Sequence, residues 1–250
     1  TYADYYNWTA MVGGDNINSG WVAVDMSDGA SHVYGVRVNE SGSIFLNGSA
    51  NSISGSQGTS YSWTDIAVSD TAQYAVATNQ YSLFVTSNYG ASWSEVQPAS
   101  SGWSEVAIGD NGSPIMYAYS NSYLVFYKSV DMGASWSSIP DFFYGGTGLG
   151  TATSLDTSTD GQCMVVGTNN GGIVVSTDGG VSSVANGSAY SGTILDVAVS
   201  DDCQKIALVG SGADAIYYST DGGTTFTAVN TTLYWTSVDL SSDGNIIAAA

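Results

Sequence analysis

Basic side chains are nearly absent: Arg37, Lys128 and Lys205 are the only three in 250 residues, against 22 acidic ones, for a formal net charge of -19. Binding a phosphate backbone or an anionic bilayer relies on several Lys or Arg contacts, so nucleic acid and anionic membranes are excluded as expected partners. Cysteine is as scarce. Cys163 and Cys203 stand with a single histidine, His32, and no zinc-ligand spacing, which leaves a disulfide or two thiols. Charged residues make up only 10% of the chain, where about 25% is usual, so solubility rests on hydroxyls, glycine backbone and excess carboxylate. No run of 18 apolar residues is present to span a membrane, and residues 1–20 lack the basic start and apolar stretch of a secretion signal. The chain reads as one domain over residues 1–250, a mature or excerpted module of a longer protein.

What is present supports a folded core: 43% apolar residues, 12% aromatics and 31 glycines. The dominant feature is an internal repeat. One phrase runs WVAVDMSDGASHVYGV from Trp21, WTDIAVSDTAQYAVAT from Trp63, WSEVAIGDNGSPIMYAY from Trp103, ATSLDTSTDGQCMVVG from Ala152, ILDVAVSDDCQKIALVG from Ile194 and WTSVDLSSDGNIIAAA from Trp235. Successive starts are 42, 40, 49, 42 and 41 residues apart. Each copy has two short apolar runs separated by Ser, Asp and Gly, the pattern of a β-hairpin. A second hairpin phrase falls between copies: FVTSNYGASWSEV, FYKSVDMGASWSSI, IVVSTDGGVSSV and IYYSTDGGTTFTAV. Four strands per period and no helical periodicity predict an all-β, six-bladed β-propeller of four-stranded antiparallel blades.

The second phrase carries a resemblance. Ser129 to Trp136 reads S-x-D-x-G-x-x-W and resembles the Asp-box, or bacterial-neuraminidase, repeat; Ser219 to Phe226 is similar, with Phe in the aromatic place. Thr86 to Trp93 keeps the frame with Asn88 for Asp, and Ser176 to Ser183 keeps Asp178 and Gly180 without the aromatic. The resemblance implies a propeller fold with these turns at the periphery. Asn88, Asp131, Asp178 and Asp221 are then structural, the carboxylate accepting turn N–H groups while glycine takes positive φ. It also implies comparison with sialidases, which hold their substrate's carboxylate with three arginines. With Arg37 alone that clamp cannot be assembled.

Ring closure is predicted from the ends. The last copy stops after its second strand at Ala250, while Asp4 to Val12 (DYYNWTAMV) is similar to Asp221 to Val229, with Trp8 in the place of Phe226. The terminal strands are expected to close the last blade together, about one strand short. The slot takes a strand from a longer chain, or a donor strand from a neighbouring subunit.

Candidate sites follow from the same frame. A carboxylate recurs at the third or fifth position of every first phrase, as Asp25, Asp65, Glu105, Asp156, Asp196 and Asp239. Both positions share one face of a strand, so six acidic groups are expected near the axis, lining a water-filled channel, capping loops or holding Ca²⁺. Some of their pKa values are expected to rise. The recurring Trp21, Trp63, Trp103 and Trp235 are assigned to packing between blades. Aromatics outside the repeat are the candidates for a partner or a sugar ring: Phe142, Phe143 and Tyr144 in the long connection PDFFYGGTGLG, with Tyr61, Tyr190 and Tyr234 in the corresponding loops. Cys163 and Cys203 lie in aligned turns of neighbouring blades and are placed to form a disulfide, which favours an oxidising compartment. Asn7, Asn39, Asn47, Asn186 and Asn230 open glycosylation sequons.

Together these features predict a non-catalytic extracellular or cell-surface module, structural or adhesive, assembling with its own kind or with a neighbouring chain. The alternative is a propeller that binds or hydrolyses glycans through loop aromatics and a carboxylate pair.

Overall fold

A computed structural model of the chain describes residues 20–28, 31–37, 43–47, 49–52, 62–98, 101–139, 142, 150–187, 189–212, 215–230 and 234–250. Alternating apolar runs broken by Ser, Asp and Gly turns form antiparallel meanders of four strands, five times over. Blade 1 is β1 (Trp21–Met26), β2 (Val33–Arg37), β3 (Ser43–Leu46) and β4 (Ser49–Ser52). Blade 2 is β5 (Trp63–Val68), β6 (Ala75–Asn79), β7 (Leu83–Thr86) and β8 (Ser94–Val96). Blade 3 is β9 (Trp103–Gly109), β10 (Ile115–Ser120), β11 (Val125–Ser129) and β12 (Ser137–Ile139). Blade 4 is β13 (Ala152–Thr157), β14 (Met164–Thr168), β15 (Ile173–Ser176) and β16 (Val184–Asn186). Blade 5 is β17 (Ile194–Val199), β18 (Ile206–Gly210), β19 (Ile216–Ser219) and β20 (Thr227–Asn230).

The sixth repeat departs from the predicted plan. Its phrase forms only β21 (Val238–Leu240) and β22 (Ile247–Ala249), a two-stranded sheet, so the described residues hold five complete blades and not six. The reason is local: this phrase specifies a hairpin of two strands, and the described residues pair no third strand with it. The proposed contribution of Asp4 to Val12 to that blade lies outside the described residues.

The first strands stand side by side in chain order around a common axis. In each complete blade the pairing of the first strand slips at its second residue, at Val22, Thr64, Ser104, Thr153 and Leu195. Such a bulge re-aims the residue before it relative to those after it. The first position can therefore pack in the seam while the third and fifth face the axis. Trp63 and Trp103 are buried edge-on against the third strand of their own blades, 5.4 Å from Phe84 and 5.2 Å from Tyr127.

Burial is organised by seams between blades. Tyr34, Val36 and Ile44 of blade 1 cluster with Ile66 and Val68 of blade 2. Val76, Leu83 and Val85 then cluster with Val106 and Met116 of blade 3. Tyr119 and Phe126 meet Met164 and Val174; Val165 and Ile173 meet Val197 and Leu208; Ala207 and Ile216 meet Val238 of the sixth sheet. Removing such surface from water is the main stabilising term, and here blades 2 to 5 each supply half of two cores while blade 1 supplies half of one.

Polar groups cross the same seams. Tyr117 donates to the Gly161 carbonyl at 2.6 Å, and Tyr218 to that of Gly244 at 2.7 Å. The two lysines are used likewise, while Arg37 packs within its own blade. Lys128 donates to the Gly179 carbonyl at 2.9 Å, Lys205 reaches the Asp243 carbonyl and Asn245, and the Arg37 guanidinium lies 4.8 Å from the Trp21 ring centre. Cys163 and Cys203 form a disulfide between blades 4 and 5, with Cα atoms 5.6 Å apart.

The four Ser/Thr-x-Asp/Asn turns share one geometry. Ser129, Ser176 and Ser219 donate to Asp131, Asp178 and Asp221 at 2.8 Å, and each hydroxyl accepts the N–H of the glycine four residues on at 2.9 Å. Each carboxylate also accepts the N–H four residues beyond itself. Asn88 takes the same place between Thr86 and Ser92. Side-chain hydrogen bonds, those of Ser182 and Thr225 foremost, hold Asp178 and Asp221 down at about 2, and Ser135 lowers Asp131 in the same sense. Gly133, at φ +81°, sits under Val85 of the neighbouring blade, where a Cβ would come within 2.7 Å.

Candidate functional site

The six predicted carboxylates do converge. Asp25, Asp65, Glu105, Asp156, Asp196 and Asp239 all line one axial cavity of about 390 Å³, with no Lys, Arg or His among its lining residues. Period-two alternation after the bulge places them there.

Most of these groups are engaged. Asp25 accepts its own neighbour's N–H, from Met26 at 2.8 Å, on one oxygen and the N–H of Val68 in blade 2 at 2.7 Å on the other. Asp65 does the same with Ile66 and with Val106 of blade 3, at 2.8 and 2.9 Å. Asp156 holds Thr157 and, in blade 5, Val199 at 2.7 Å. Asp196 holds Val197 and, in the sixth sheet, Val238 at 2.9 Å with the Ser237 hydroxyl. Each is a latch onto the next blade, 41 to 43 residues along the chain. Charge-assisted acceptance of a backbone N–H is among the stronger hydrogen bonds. Two acids break the series. Among the described residues Glu105 makes no such bond to blade 4, and Asp239 accepts only the N–H of Leu240, at 2.7 Å.

Burial dominates the electrostatics. It raises Asp25 to about 6, Asp65 to about 7 and Asp156 to about 8, with the latch hydrogen bonds opposing and neighbouring acids adding to the rise. Glu105 is pushed well above its ordinary range and Asp239 is also raised, again chiefly by burial. The expectation of Ca²⁺ meets a different arrangement. Among the described residues no three His, Cys, Asp or Glu side chains gather to hold a metal ion, and most axial oxygens already face N–H donors.

The three loop aromatics among the described residues, Phe142, Tyr190 and Tyr234, differ in their surroundings. Phe142 is only 4% exposed and packs 5.1 Å from Phe126 in the third strand of blade 3. Tyr190 is 9% exposed, lies over Gly210 and donates to the Ser211 carbonyl at 2.6 Å. Tyr234 alone of the described candidates is open to solvent, at 75%. Phe143, Tyr144 and Tyr61 lie outside the described residues, as do Asn7 and Asn39 and the Asn230 side chain. The remaining sequon amides are occupied. Asn47 donates from Nδ2 to the Ser31 carbonyl, and Asn186 from Nδ2 to the Gly223 and Thr224 carbonyls of blade 5.

A feature that sequence reasoning missed is the seam between the sixth sheet and blade 1. Residues four and six of the first strand are buried in blades 2 and 5, as Ile66 and Val68 and Val197 and Val199, and are at least half-buried in blades 3 and 4. In β1 the same positions are Val24 and Met26, at 53% and 47% exposure. On the hairpin Ile246 is 69% exposed and Ala248 is also exposed, while Ile247 and Ala249 pack toward blade 5. Among the described residues β22 has only β21 as a ladder partner, whereas β2, β6, β10, β14 and β18 each pair on both edges. The signal was available: the exposed positions are those the repeat elsewhere buries or half-buries.

No family model matches the sequence, and no curated protein matches it. Among solved structures the fold is similar to one described as YCF48 bound to D1 peptide, with a TM-score of 0.56 and 17% identity, covering 76% of this chain and 62% of that one. The chain thus spans less than two thirds of that protein. At this identity the likeness speaks to fold alone, and it identifies a β-propeller of four-stranded antiparallel blades.

Proposed function

We propose that the chain is a non-catalytic structural or adhesive module of an extracellular or cell-surface assembly, joined to a neighbouring chain by strand addition at its sixth blade. The observation that carries this reading is β22, with one ladder partner where equivalent strands have two, beside the exposed apolar walls at Val24, Met26 and Ile246. An added strand satisfies main-chain donors and acceptors along such an edge, and alternate side chains fill the apolar wall. The strands that follow β6 and β14 in complete blades, Leu83–Thr86 and Ile173–Ser176, state the chemistry required: a short run of β-branched and aromatic side chains.

Other observations support the reading. The four shared turn geometries agree with the Asp-box resemblance, the disulfide suits an oxidising compartment, and the YCF48 propeller is described with a bound peptide. The glycan reading loses Phe142 and Tyr190, which are buried. Light scattering and negative-stain imaging at rising concentration test the assembly. The expected result is species larger than one chain, reduced by Ala249→Pro, which removes an N–H from the open edge of β22 and leaves the ladder to β21 intact. Discrete monomers throughout overturn the proposal.

A further inference from the structure

Resting on that reading of the sixth blade, we propose that the charge on Asp25 and Asp239 sets whether the seam between the hairpin and blade 1 is closed or open, so that acidification closes it. The argument begins with the latches. The seams from blade 1 to 2, 2 to 3, 4 to 5 and 5 to 6 are each crossed by an Asp that accepts an N–H of the next first strand. The seam from blade 3 to 4 lacks the latch but is spanned by Lys128, Tyr117 and the cluster around Phe126 and Met164. At the seam from the sixth sheet to blade 1, the described residues contribute neither a latch nor an apolar cluster.

The repeat explains the missing latch. By its position Asp239 would reach the N–H of Met26, as Asp25 reaches that of Val68 and Asp156 that of Val199. That N–H is already donated to Asp25 at 2.8 Å. Two acids at equivalent positions on adjoining first strands therefore compete for one donor, and the loser, Asp239, faces the cavity with one oxygen unbonded among the described residues. In place of attraction the seam carries a carboxylate pair, and Asp239 raises Asp25 through repulsion.

The surroundings do not cancel that repulsion. Among the described residues the titratable groups around the pair are Asp65, Glu105, Asp156 and Asp196 on the other first strands, with Asp70 acting on Asp25 from the turn after β5. All are acids. When Asp25 and Asp239 are protonated, a carboxyl O–H can bond to its neighbour and the apolar walls can approach; when both are ionised, like charges drive the strands apart. With Asp25 titrating at about 6, the transition is expected near pH 6. A strand docked at β22 then has its blade 1 wall in place on the acid side and withdrawn on the alkaline side.

The experiment uses the full chain with nitroxide labels at Met26→Cys and Ile246→Cys, since both native cysteines are bonded to each other and take no label. Pulsed electron resonance is expected to give a short, narrow distance distribution at pH 5 and a longer, broader one at pH 8. Asp239→Asn is expected to keep the pH 5 distribution at pH 8. Hydrogen exchange over residues 238–249 of the unlabelled chain, corrected for intrinsic pH dependence, provides a second reading and should show more protection at pH 5. Identical distributions and equal protection at both pH values overturn the proposal, as does an Asp239→Asn variant that follows the parent. Light scattering on the same samples separates the two readings. Monomers whose distances respond to pH sink the assembly and leave the switch standing; assemblies with a fixed distance do the reverse.

Discussion

Stability should fall as the pH rises from about 4 to about 8, the opposite of what an acid-rich protein with paired carboxylates would show. Asp156 illustrates the size. Its carboxyl titrates at 3.8 when unfolded and at about 8 in the folded chain, so across that interval the folded state binds more protons than the unfolded one. The derivative of unfolding free energy with pH is then negative, and one such group removes up to about 1.4 kcal/mol per pH unit. Water in the axial cavity lowers this ceiling. Asp25 and Asp65 act in the same direction over narrower windows, up to about 6 and about 7. The surface acids Asp178, Asp221 and Asp243, held at about 2, stabilise above 3.8 and lose that contribution as pH falls toward 2. Their sum places the optimum near pH 4. Urea unfolding at unit steps from pH 3 to pH 9 measures it, and Asp156→Asn should flatten the slope between pH 6 and pH 8. A stability that is level or climbs from pH 4 to pH 8, or an unaltered slope in Asp156→Asn, refutes the reasoning.

Other outcomes follow from single contacts. Reducing the Cys163–Cys203 bridge, which closes 40 residues, should cost roughly 2 to 4 kcal/mol, read as a lower urea midpoint with dithiothreitol than without. Gly109→Ala would set a Cβ 2.5 Å from the Gly161 nitrogen and the Ser158 carbonyl oxygen across the blade 3 to 4 seam. Neither is a side chain that can swing aside, and a loss of about 1 to 3 kcal/mol by thermal or urea melting is expected. Glycopeptide mapping after secretion from a eukaryotic host should find Asn47 and Asn186 bare, since each Nδ2 is committed to backbone carbonyls. A glycan at either would show that those turns open.

The fold was legible because two periods coincide in the chain, two residues within a strand and about 42 between hairpins. Asp25 and Asp156 could be placed at the axis from their position alone. Their latch partners could not be read so directly, although Val68 and Val199 lie one repeat away. Which N–H a carboxyl meets depends on the stagger between sheets, and the pattern within one strand carries no record of it. That Phe142 and Tyr190 are buried was not legible, because a loop aromatic without a periodic neighbour gives no clue whether it points outward or packs on Phe126 or Gly210. The count of blades failed at Ile247 to Ala249, since a hairpin phrase specifies two strands and the blade needs four.

The way Arg37, Lys128 and Lys205 are used bears on durability. Trypsin-class proteases cut only after these residue types, and the sequence holds three of them. Arg37 is buried against an indole ring, while the ammonium groups of Lys128 and Lys205 are tied to a neighbouring blade's carbonyls. A cleavage loop must be extended within the protease cleft, so a blade has to come loose before any of the three can be cut. Digestion by such enzymes would then keep pace with the opening of the wheel, and a closed wheel would outlast surroundings rich in them.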